Sequence, residues 1–156
     1  MLNQIEADFD IAFGRLMNAD MHDKGEVRRA LRDVFANFYP WRDCVSSPDS
    51  RTYRISAEAS FEGRTTEALS ILRNIDQHHL EQIVQPKALM LFPSDRLFPS
   101  EYLFPGENLT FLPVADMVAP PDRLLVDRNL DLYHECLGGL AVLPALDASR
   151  SFLKQF

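Results

Sequence analysis

The sequence predicts an α+β domain: an N-terminal helical hairpin, a small sheet packed by a long helix, and a Pro-rich segment wrapped over them. Three observations carry that reading. Apolar residues recur at three- and four-residue spacing through the first 39 positions. The period then changes to strict alternation over 53–61. A Leu-Phe-Pro hexad repeats three times between 91 and 106. With 156 residues, 46% of them hydrophobic and 25% charged, the chain has the size and composition of one globular domain, 1–156.

The first helix is expected over 2–18, where Leu2, Ile5, Phe9, Ala12 or Phe13, and Leu16 share one face. After a polar break at 18–23, Asp23 is placed to cap a second helix, with Glu26 three residues on as in a capping box. Val27, Leu31, Val34 and Phe38 form its buried stripe, and Lys24, Arg28, Arg29 and Arg32 give it a basic outer face. Tyr39-Pro40 is expected to end it, because proline lacks the N–H donor and restricts the residue before it. Turn chemistry at Ser46-Ser47-Pro48-Asp49-Ser50 then leads into a strand, with Tyr53, Ile55, Ala57, Ala59 and Phe61 on its buried face. Gly63 ends that strand, and Thr65 or Thr66 caps a helix running to about Val84, closed by Pro86. A buried strand over 87–92 would complete a right-handed βαβ crossover. Further on, 108–114 reads as a strand, 127–137 as a helix stopped by Gly138-Gly139, and 140–143 as a short strand. Asp147 is placed to cap a terminal helix reaching Lys154.

Composition narrows the function classes. The net charge of -7 argues against binding nucleic acid through its phosphates and suits a basic partner. The N-terminus shows no basic region followed by an apolar run, and no stretch is apolar and long enough to span a bilayer, so a cytoplasmic protein is expected. Two cysteines, Cys44 and Cys136, make no disulfide framework and read as free thiols. His78-His79 and His134-Glu135-Cys136 put neighbouring side chains about 100° apart on a helix, which does not suit one shared ion, so no metal or other cofactor is expected. The Glu62–Thr66 turn has one Gly and no phosphate-loop pattern.

Two features remain. In the hexads, Phe92, Phe98 and Phe104 return to one face of an extended chain, and successive rings would lie about 19 Å apart. Proline excludes a regular central strand there. The row is either a partner-binding ridge or a loop whose rings tuck inward. The second feature is a paired pattern: Arg73-Asn74 with His78, and Arg128-Asn129 with His134. Both resemble the Arg-Asn-x-His signature of HEPN-type ribonucleases. The resemblance covers six or seven residues at each place, and it implies metal-free RNA cleavage at the interface of a homodimer. By that resemblance His134 would move the 2′-hydroxyl proton, Arg128 would hold the scissile phosphate, and Asn129 would position the pair. It also implies a helical bundle, at odds with the alternating run at 53–61. The leading expectation is therefore a non-enzymatic protein-interaction module of inhibitor, immunity or adaptor type. It would cover a partner surface with aromatic anchors at the centre and carboxylates at the rim.

Overall fold

A computed structural model describes residues 2–74, 83–86 and 109–156. They are mostly helical: six α-helices and one small antiparallel sheet of two strands, an arrangement compatible with the α+β class. The helices are α1 (Leu2–Met17), α2 (Lys24–Ser46), α3 (Ser50–Ala59), α4 (Phe61–Ile71), α5 (Asp127–Cys136) and α6 (Val142–Leu153). The strands are β1 (Val84–Pro86) and β2 (Leu109–Phe111), paired with Val84 opposite Phe111. Among the described residues no helix is long and apolar enough to cross a membrane.

Helices α1 and α2 pack antiparallel. Arg15 near the end of α1 lies beside Asp33 of α2, while Phe9 meets Phe38 and Trp41 further along α2. Asp23 caps α2 by accepting from the amides of Gly25 and Glu26. The helix does not stop at Tyr39-Pro40 but continues to Ser46 with Pro40 inside it. The apolar stripe explains why: Val34, Phe38, Trp41 and Val45 are all buried, so burial of two further residues offsets the one hydrogen bond proline removes.

The largest correction falls on 53–61. The segment is not a strand: α3 covers Ser50–Ala59, and α4 begins at Phe61. Of the five alternating apolar residues only Tyr53 and Ala57 are buried, four apart on one helical face; Ile55 is 57% and Phe61 45% exposed. Asp49 caps α3 through the Thr52 amide, and Ser60 caps α4 through the Gly63 amide. Thr65 and Thr66 are therefore not caps. They lie buried inside α4, with hydroxyls donating to the carbonyls of Phe61 and Glu62.

With no strand at 53–61 the βαβ crossover disappears. The helix expected to reach Val84 ends at Ile71 and passes into a 3-10 turn, Leu72–Asn74, while Val84 belongs to β1. The strand expected at 87–92 and the hexad segment with Phe92, Phe98 and Phe104 lie outside the described residues. Where a strand is expected at 140–143, one bridge joins Ala141 to Thr110, and α6 starts at once at Val142. Pro144 fits that first turn because its missing N–H has no partner to lose there. Asp147 is thus mid-helix rather than a cap. Gly139, with φ 80°, reverses the chain after α5 so that its amide reaches the carbonyl of Phe111.

Helix α6 closes the core. Phe152 sits edge-on to Tyr53 at 5.7 Å, Arg150 forms a two-pronged pair with Asp10 of α1, and Lys154 pairs with Glu6.

Candidate binding cleft

The second half of α2, together with α3, α4 and α5, walls an open cleft of about 990 Å³. Its floor is Tyr53, brought there because α3 must bury the Tyr53–Ala57 face. The Tyr53 hydroxyl donates to the Glu67 carboxylate at 2.9 Å. Arg42 donates to the same carboxylate through Nη2 to both oxygens at 3.0 Å and through Nε at 3.3 Å. The Arg42 guanidinium also lies over the Tyr53 ring, 5.5 Å from its centre. Burial first, and the Glu67 charge second, push the Tyr53 hydroxyl well above its ordinary pKa, so it stays protonated and remains a donor. These three side chains tie α2, α3 and α4 into one rigid corner.

The opposite wall is held by Arg64 of α4, whose Nε donates to Glu135 of α5 at 2.9 Å, and whose Nη1 reaches the Glu58 carbonyl. Two further arginines on the cleft, Arg54 and Arg128, are exposed and have no hydrogen-bond or ion-pair partner among the described residues. Beside the cleft, and sharing Arg42, Glu67 and Ile71 with it, is a smaller hollow of about 240 Å³. It is bounded by Tyr39, Asp43, Ser70, Arg73 and Arg123.

The ribonuclease-like set is divided by this geometry. Arg128 and Asn129 line the cleft at the first turn of α5. His134, six residues on, lies about 120° around the helix. It does not line the cleft; its ring is exposed and packs edge-on to Tyr133, near Gly138. The Asn129 amide is occupied in donating to the Arg123 carbonyl at 2.9 Å, which ties α5 to the 3-10 turn Asp122–Leu125. In the other pattern Arg73 borders the small hollow, and His78 lies outside the described residues. The aromatic row of Phe92, Phe98 and Phe104 lies outside them as well.

Cys44 and Cys136 are both free thiols. Burial pushes the Cys136 thiol upward, away from the reactive thiolate form. Among the described residues no group of three or more His, Cys, Asp or Glu side chains is gathered as a metal site would need.

Reading the sequence as strand at 53–61 hid Tyr53, Arg54, Arg42 and Glu67. The signal that points to them is the cap: Asp49 three residues before Thr52, and Ser60 three before Gly63, each mark a helix start. No known protein family, curated protein or solved structure matches the chain.

Proposed function

We propose that this chain is a non-enzymatic protein-interaction module, of inhibitor, immunity or adaptor type, and that the α2–α5 cleft is part of its binding face. The observation that carries the reading is how the cleft's charges are disposed. Its central carboxylate is already held by Arg42 and Tyr53, Arg64 is held by Glu135, and Arg54 and Arg128 are left outward at the rim. Such a surface is rigid before the partner arrives, which reduces the ordering cost of association. Arginine and tyrosine are also the residues that protein interfaces favour at their centres. The chain's charge of -7 draws a basic partner from a distance, while Arg54 and Arg128 meet carboxylates locally. Phe92, Phe98 and Phe104 are proposed as aromatic anchors of the same partner.

The test is affinity capture from the native host with the tagged full chain, sizing of the purified complex, and comparison with Arg54→Glu/Arg128→Glu. A stoichiometric partner whose affinity falls at least tenfold in the double variant supports the reading. Unchanged affinity removes the cleft from the interface.

A second reading, a HEPN-like metal-free ribonuclease acting as a homodimer, gains from the mostly helical described residues and from Arg128 and Asn129 standing together on the cleft. It loses from the position of His134 away from them. RNA cleavage abolished by His134→Ala in a folded protein would restore it.

A further inference from the structure

The small hollow beside the cleft has an unusual balance of donors and acceptors. Three guanidinium groups, those of Arg42, Arg73 and Arg123, face two carboxylates, Asp43 and Glu67. Both carboxylates are engaged: Glu67 by Arg42, and Asp43 by Arg73 and, at 3.4 Å, by Arg42. One positive charge is left over, and it belongs to Arg123, whose exposed side chain has no partner among the described residues. Tyr39 lines the same hollow, and its hydroxyl is buried with no hydrogen-bond partner among the described residues. The Tyr39 ring is held by stacking on Phe35, by an edge-on contact with Phe38 and by the Arg73 guanidinium 5.8 Å from its centre. A buried hydroxyl left unpaired is costly. The unpaired cation at this hollow is a guanidinium, which can donate but not accept. What the hollow lacks is an acceptor carrying negative charge.

We propose that this hollow binds a phosphate-type oxyanion, either free phosphate or the head of a phosphomonoester. One oxygen accepts from the Tyr39 hydroxyl, and Arg123 closes over the mouth to donate to the others. The volume of about 240 Å³ suits such a group and part of what bears it. Arginine favours phosphate because its fork of donors meets two oxygens at once. The two ion pairs already present, Arg42–Glu67 and Arg73–Asp43, hold the walls in place before the anion enters. Burial, the larger influence, pushes the Tyr39 hydroxyl far above its ordinary pKa, although Arg73 and Arg123 act the other way. It is therefore present as a donor at neutral pH. The hollow shares Arg42, Glu67 and Ile71 with the cleft proposed above as a partner surface, but Tyr39 and Arg123 line the hollow alone, and neither proposal requires the other.

The test is calorimetric titration of the full chain with inorganic phosphate, phenyl phosphate and acetate at low ionic strength. We expect saturable binding of one phosphate per chain, weaker as salt rises. Tyr39→Phe and Arg123→Gln should each weaken it about tenfold or more. Arg54→Gln, in the larger cleft, should leave it unchanged, and circular dichroism should show all three variants folded. Phenyl phosphate binding as well as inorganic phosphate would point to a phosphomonoester, and binding of inorganic phosphate alone to the free ion. No saturable binding below about 10 mM phosphate, a range weaker than about 3 kcal/mol of binding, would overturn the proposal. So would equal affinity for acetate, or wild-type binding by both Tyr39→Phe and Arg123→Gln.

Discussion

At the scale of single residues, Glu67 is the most consequential side chain of the cleft, because it serves two donors at once. Arg42 and Glu67 side chains are 26% and 32% exposed, so neither is fully hydrated. Glu67→Ala leaves a half-buried guanidinium without its main partner and a buried tyrosine hydroxyl without an acceptor. We expect a loss of about 2–3 kcal/mol in urea unfolding. Glu67→Gln, which keeps an acceptor for Tyr53, should lose less. A change below about 0.5 kcal/mol in Glu67→Ala would place the pair among surface ion pairs of little weight. Asp10 makes a prediction in pH. The hydrogen bonds from Arg150 hold its carboxyl below the ordinary 3.8, with burial opposing and the charges of Arg150 and Lys154 assisting. A depressed carboxylate contributes stability that is complete above its unfolded pKa and lost as pH falls through the folded one. Unfolding free energy should therefore drop as pH falls below about 4, and Asp10→Asn should flatten that limb. An acid limb of the same slope in Asp10→Asn would remove Asp10 from the cause.

At the scale of elements, the α3–α4 corner depends on Gly63. A Cβ there would lie 2.5 Å from the Ala57 Cα and 2.6 Å from its carbonyl oxygen, both backbone atoms that cannot swing aside. Gly63→Ala should therefore force the two helices apart and cost about 2 kcal/mol or more in thermal or urea unfolding. A neutral substitution would mean that the corner is not as close as the structure has it. The same corner shows which parts of the fold were legible in the sequence. The buried faces of α1 and α2 and the Asp23 cap were readable because each is local: a 3.6-residue period and a side chain three residues from the amide it serves. Tyr53 to Phe61 misled because five apolar residues at every second position fit a pleated strand, yet three of them point away from the core. Tertiary packing against Phe152 chose the Tyr53–Ala57 face, and that contact spans about a hundred positions of sequence. Pro40 misled for a related reason, since the buried Trp41 and Val45 beyond it outweigh its missing donor. The cleft was not legible because Arg42, Tyr53, Glu67 and Arg128 come from four helices with no shared motif. Arg128 and Asn129 stand out in the sequence only through a resemblance, and the turn of α5 separates them from His134.

At the scale of the whole molecule, an acidic chain carries a cleft whose lining holds four arginines and four carboxylates. The chain carries -7 overall, yet Arg54 and Arg128 are exposed on the α2–α5 cleft and form no ion pair with a described residue. In the function proposed here, long-range attraction and local docking fall to different parts of the surface. The rigid corner of Arg42, Tyr53 and Glu67 behind them keeps that cleft in one shape. The most direct measurement of this account is the affinity of the captured partner for the wild-type chain and for Arg54→Glu/Arg128→Glu, at matched ionic strength and helicity. At least tenfold weaker binding is expected in the double variant, from the loss of two charge contacts at an interface. Equal affinity, or a chain that captures no protein and cleaves RNA only when His134 is intact, would contradict it.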